Sequence, residues 1–179
     1  MERRKRLRAL SVCLALAATT VGCSTPHPTA SSPVPSPVAT EPDDAILAKA
    51  VDAYTRYSAA LDLALANGDG EFEELKGLAT PSFLRGLAAD DVFAVNSWRS
   101  RGSTSFDSQQ LVNESENQVV LQVCRDVSRV RVLDAQGTDV TPKERDDRFA
   151  VMVTLQRVDP SAPLLVAGSE PSVDASCEL

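Results

Sequence analysis

Apolar residues beyond Ala45 recur at steps of three and four. In AILAKAVDAYTRYSAALDLALANG, Leu47, Val51, Tyr54, Ser58, Leu61 and Leu65 fall on one stripe, which predicts a long amphipathic helix. Asn67-Gly68 is a stop signal at its end, and Thr40 with Asp43 has the spacing of a capping box at its start. The same period predicts a second helix over Glu71 to Thr80, with Phe72, Leu75 and Leu78 inward. Thr80-Pro81 reads as a fresh N-cap with proline at the first helical position. The third helix that it opens would carry Leu84, Leu87, Val92, Val95 and Trp98 and end near Arg101-Gly102.

After Gly102 the period changes to two. Segments around 103–113, 118–125, 128–134, 148–158 and 164–177 are rich in Val, Leu and Thr, and polar breaks at Asn113-Glu114, Gln136-Gly137, 142–147 and Asp159-Pro160 separate them. Arg129-Val130-Arg131-Val132 and the run from Phe149 to Val153 alternate cleanly. Helices first and antiparallel strands after them predict an α+β domain, with N-terminal helices packed on one face of a curved antiparallel sheet. About 135 residues from Ala45 to Leu179 suffice for one such domain and not for two.

The N-terminus follows a different pattern. Arg3, Arg4, Lys5, Arg6 and Arg8 form a basic cluster, and Ala9 to Ala18 follows as an apolar run of ten residues. That length suits the core of a signal peptide and falls short of the roughly 20 residues that span a bilayer. Residues 1–22 are therefore set apart from the fold as a signal peptide, exported by the general or the twin-arginine route. Residues 23–44 carry Pro26, Pro28, Pro33, Pro35, Pro37 and Pro42 among many Ser and Thr, too few apolar groups for a core, and read as a disordered tether. Between the two stands Thr20-Val21-Gly22-Cys23, which resembles the lipobox of bacterial lipoproteins although Thr20 replaces the usual Leu. The resemblance implies lipidation of Cys23, partnership with the membrane through that anchor, and residence at the extracytoplasmic face of the cell membrane.

Composition narrows the chemistry. The chain has a formal net charge of −7, and setting aside residues 1–22, with five basic residues and one acidic one, leaves about −11. A domain this acidic is an unsuitable partner for nucleic acid. Its single histidine, His27, lies in the tether, so the folded part lacks the residue that Ser-His-Asp or Cys-His catalysis and the usual zinc sites require. Phosphate loops, dinucleotide fingerprints and G-x-S-x-G are absent, and no cofactor or metal is implied. The acidic pairs Asp43-Asp44, Asp90-Asp91 and Asp146-Asp147, and the cluster Glu71, Glu73 and Glu74, fall at element ends, where solvated caps explain them.

Helices followed by long strands, with LQVCRDVSRVRVLDAQG around Cys124 and a last strand ending at Cys177, resemble the NTF2-like (cystatin-like) cone fold and small actinobacterial envelope lipoproteins of that class. The resemblance implies a conical sheet with a pocket at its wide end. Tyr54, Tyr57, Trp98, Phe106 and Phe149 are candidates to line that pocket, with core packing as the alternative, and Asp91 is the carboxylate that an enzyme of this fold would employ. With Cys13 removed and Cys23 lipidated, Cys124 and Cys177 remain as an expected disulfide, since no CxxC spacing or nearby His favours a metal site. The functional expectation is a non-catalytic, lipid-anchored binding module for a hydrophobic small molecule or an envelope protein. An isomerase or cyclase type of enzyme acting on a lipid-like substrate, and a structural or prophage surface lipoprotein, stand as the alternatives.

Overall fold

A computed structural model describes residues 42–173 and 177. The segment read as a signal peptide, Cys23, and all but the end of the segment read as a tether lie outside these residues. The first helix, α1, spans Asp43–Asn67 and so begins inside the segment assigned to the tether. Its N-cap is Pro42 and carries no side-chain cap; Asp43 and Asp44 in the first turn instead complement the positive end of the helix. At the other end Gly68 takes a left-handed conformation, φ 66°, and its N–H donates to the Ala64 carbonyl. A side chain there would collide with the backbone, since a Cβ on Gly68 would stand 2.7 Å from the Trp98 carbonyl oxygen.

The buried face of α1 is rotated slightly from the expected stripe. Ile46, Ala50, Ala53, Tyr54, Tyr57, Leu61 and Ala64 are buried, while Leu47, Val51 and Leu65 flank them half-buried. The alanines let the helix axis approach the sheet closely, and the two tyrosines fill the space between. Against them pack Val119, Leu121, Val123, Val153, Leu155 and Val166, and this apolar layer is the core.

The second predicted helix does not form. Only one 3-10 turn, Glu73–Leu75, occurs between Gly70 and Gly77, both of which have positive φ that a regular helix cannot hold. Phe72, Leu75 and Leu78 still turn inward, but the chain then runs alongside the last strand, where Thr80 N–H donates to the Val166 carbonyl and Val166 N–H to that of Leu78. Thr80 caps α2, Pro81–Ala89, as expected, its Oγ1 accepting from Phe83 N–H. The third predicted helix is cut in two. Asp91 Oδ1 accepts from Phe93 and Ala94 N–H and so starts a separate short helix, α3, Val92–Asn96. Val92 and Val95, expected inward, are exposed.

Six strands follow: β1 Arg99–Arg101, β2 Ser105–Glu114, β3 Gln118–Asp126, β4 Arg131–Leu133, β5 Arg148–Gln156 and β6 Leu165–Pro171. β2, β3, β5 and β6 form, in that order, a curved antiparallel sheet with the core on one face, and the domain is α+β as the patterning predicts. β2 is bulged twice, near Asp107–Gln110 and Leu111–Asn113, which bends the strand and deepens the local twist. β1 and β4 make a separate two-stranded ribbon, so the segment expected as a fifth strand of the main sheet pairs elsewhere. Gly102 permits this, because a Cβ there would collide with the Arg129 carbonyl oxygen.

Candidate functional site

The row of residues that crosses the inner face of the sheet near its end is aromatic on both sides of a cation. Phe106 on β2, Arg125 on β3 and Phe149 on β5 are register partners. Period two places Arg125 on the same face as Val119, Leu121 and Val123, and so on the side that α1 covers. Its Nε is buried with no hydrogen-bond partner, the one such side-chain atom among the described residues. Guanidinium groups stay protonated, so this is a standing positive charge beside an apolar core.

Arg125 opens into a cavity of about 320 Å³ between the C-terminal half of α1, α3, the sheet end and the β1–β4 ribbon. Leu65, Phe93, Val127, Val130, Val132 and Phe149 supply apolar wall. Asp62, Ser100, Thr104 and Arg145 are its other polar residues. Three of these are already matched. Asp62 accepts from Thr104 N–H and Thr104 Oγ1, both at 2.8 Å. Arg145 donates to the carbonyls of Val127 and Val130 and pairs with Asp147 at 2.6 Å. Other clefts are larger, about 540 Å³ beyond the ribbon and about 500 Å³ between α2 and β6, but neither contains a buried polar side-chain atom lacking a partner.

The five aromatic candidates divide between cavity and core. Phe149 lines the cavity. Trp98 stands edge-on to Phe93 at 6.1 Å and props that ring, which does line it. Phe106, Tyr54, Tyr57 and Phe83 instead form a chain of rings from β2 through α1 to α2, with centroids 4.8, 6.0 and 6.2 Å apart. Phe106 also borders a second groove of about 390 Å³, along the α1–β2 edge, which shares Asp62 and Thr104 with the cavity. Burial raises the phenol of Tyr54 above its ordinary value, while the Arg125 charge and a hydrogen bond with Ser169 pull it back. Burial raises Tyr57 too, with the Tyr54 neighbour adding to the rise. Both rings are thus neutral donors, unsuited to act as bases at neutral pH.

Asp91, the carboxylate singled out from sequence, is engaged in capping α3. Asp62, Arg125 and Arg145 are the ionisable groups lining the cavity, and sequence reasoning missed all three. Arg125 occupies an inward position in the alternation of QVVLQVCRDV, and a charge where the pattern calls for an apolar residue was the available signal. Cys124 and Cys177 are joined, with Cα atoms 5.6 Å apart, on the opposite face of the sheet from Arg125. Among the described residues no group of three His, Cys, Asp or Glu could hold a metal ion, and no helix is long and apolar enough to cross a membrane.

Comparison with known proteins adds no family: no family model, curated protein or solved structure matches the chain.

Proposed function

We propose that this chain is a lipid-anchored, extracytoplasmic binding module of the cell envelope whose NTF2-like cone domain holds a hydrophobic small molecule. The observation that carries the reading is the apolar cavity around Arg125, with a buried guanidinium nitrogen that no described residue satisfies. Pockets of this kind, mostly apolar with a few convergent polar groups, are the usual form of small-molecule sites. The long α1 against the inner face of a curved antiparallel sheet supports the cone assignment, and Gly22-Cys23 after an apolar run supports the anchor. Binding is favoured over catalysis because the cavity's carboxylate, Asp62, has both oxygens engaged by Thr104 and its neighbouring tyrosines are held neutral. Native mass spectrometry of the protein extracted from its own membranes tests both halves. A diacylglyceryl adduct on Cys23 with a noncovalent apolar cargo is the expected result; an unmodified Cys23 sinks the anchor, and repeated extraction without cargo sinks the binding reading.

A further inference from the structure

We propose that the cavity is selective for a medium-chain amphiphile with a carboxylate head group, and that Arg125 is the residue that recognises the carboxylate. The inference rests on the reading of this cavity as a binding site and adds the chemical class of its ligand.

A guanidinium is the strongest available recogniser of a planar anion, because its fork of N–H donors matches two oxygens at once. Among the described residues no carboxylate lies within ion-pair distance of Arg125, although the domain is rich in acids, and its Nε has no partner at all. A charge left in that state is a standing cost to the fold. The second arginine of the cavity shows what a structural role looks like: Arg145 is tied to Asp147 and to two backbone carbonyls. Among the described residues Arg125 has no such ties, and with its Nε enclosed the terminal guanidinium nitrogens are the donors left to face a ligand.

The counter-ion is narrowed by its surroundings. Asp62 lines the same cavity, and its negative charge disfavours a dianion such as a phosphate monoester more than a single carboxylate. The apolar lining of the cavity, Phe149 and Val127 included, offers an acyl chain the contact that a small hydrophilic anion would forgo. A volume of about 320 Å³ stands at the lower end of the roughly 300–1,000 Å³ typical of small-molecule sites, which suits a medium chain.

Calorimetric titration of the full chain with decanoate, decanol and decyltrimethylammonium decides the matter, alongside the Arg125→Gln and Arg125→Lys variants. The expected result is decanoate binding roughly tenfold to hundredfold tighter than decanol, a preference that Arg125→Gln abolishes and Arg125→Lys keeps in part. Equal affinities for decanoate and decanol, a tighter cationic amphiphile, or a preference that survives in Arg125→Gln overturns the carboxylate assignment while the binding reading stands. If none of the three probes binds, the binding reading itself falls and this inference with it. The unsubstituted chain's decanoate-to-decanol ratio is decisive even where a variant fails to fold.

Discussion

Arg148 holds Asp107 from two strands away. Its Nη1 and Nη2 donate to the two carboxylate oxygens at 3.0 and 2.6 Å, while its Nε donates to the carbonyl of Cys177 at 3.2 Å. One side chain on β5 therefore ties the edge strand β2 to the disulfide partner beyond β6. The fork requires arginine, since a lysine cannot serve two carboxylate oxygens and a carbonyl in this geometry.

Replacing Arg148 by Ala should therefore loosen Cys177 more than it weakens the sheet. Reduction of the Cys124–Cys177 bond by a small thiol is expected to run severalfold faster in Arg148→Ala, with Arg148→Lys between the two; an unchanged rate would show that the tail is held by the disulfide alone. Hydrogen bonds from Arg148, and then Ser108, hold the Asp107 carboxyl below the usual carboxylate range. The folded group is then the stronger acid, so its contribution is complete above the ordinary carboxylate value near about 4 and fades as pH falls through the lowered one.

Removing the disulfide has a larger effect. Closing a loop with a sequence separation of 53 residues restricts the unfolded chain by about 4 kcal/mol. The double variant Cys124→Ala with Cys177→Ala should lower the melting temperature by roughly 10–15 °C in calorimetry. A drop of only a degree or two would mean that the reduced, unfolded chain keeps the two ends together.

The two tyrosines report on alkaline unfolding without a label. Tyr54 and Tyr57 are the chain's only tyrosines, and burial raises both above their ordinary value. A raised value in the folded state gives stability that is complete below about pH 10 and is lost as pH climbs through the raised values. Tyrosinate absorbance should therefore rise in one cooperative step, coincident with loss of far-ultraviolet circular dichroism. A gradual rise centred near pH 10 in a still-folded protein would contradict their burial.

Ala50 is fully buried where α1 meets the sheet, so there is no room for added methylenes. Ala50→Leu should cost about 1–3 kcal/mol in urea unfolding, whereas Leu63→Ala, at an exposed position of the same helix, should cost only a few tenths. Comparable losses at both positions would place the packed face of α1 elsewhere.

The long helix and the four strands of the main sheet were legible in the sequence because each repeats one period over many residues, and the α2 cap was legible because Thr80-Pro81 is a local start signal. Failures came where a single residue overrides the period. The positive φ of Gly70 and Gly77 dissolves the expected helix over 71–80 into one turn, although Phe72 and Leu75 stay buried as the pattern demands. Asp91 competes for backbone N–H groups and splits the third helix, which leaves Val92 and Val95 in solvent. The site was hidden for a related reason. Trp98 and Phe149 were recognisable as aromatics, and the charge of Arg125 at an inward position was a visible exception to the alternation, but that Phe106 and Phe149 flank it from neighbouring strands follows only from the sheet register. Register across a sheet is set by turns and bulges far along the chain, and no local window contains it.

The disulfide also gives the domain two unlike handles. Tension that enters through Asp43 bears first on the opening turn of α1. Tension that enters through Cys177 passes by a covalent bond into β3, which is flanked by β2 and β5, and has to shear two rows of backbone hydrogen bonds together. The covalent bond thus connects Cys177 directly to an interior strand of the sheet, whereas Asp43 connects only to the first turn of a helix.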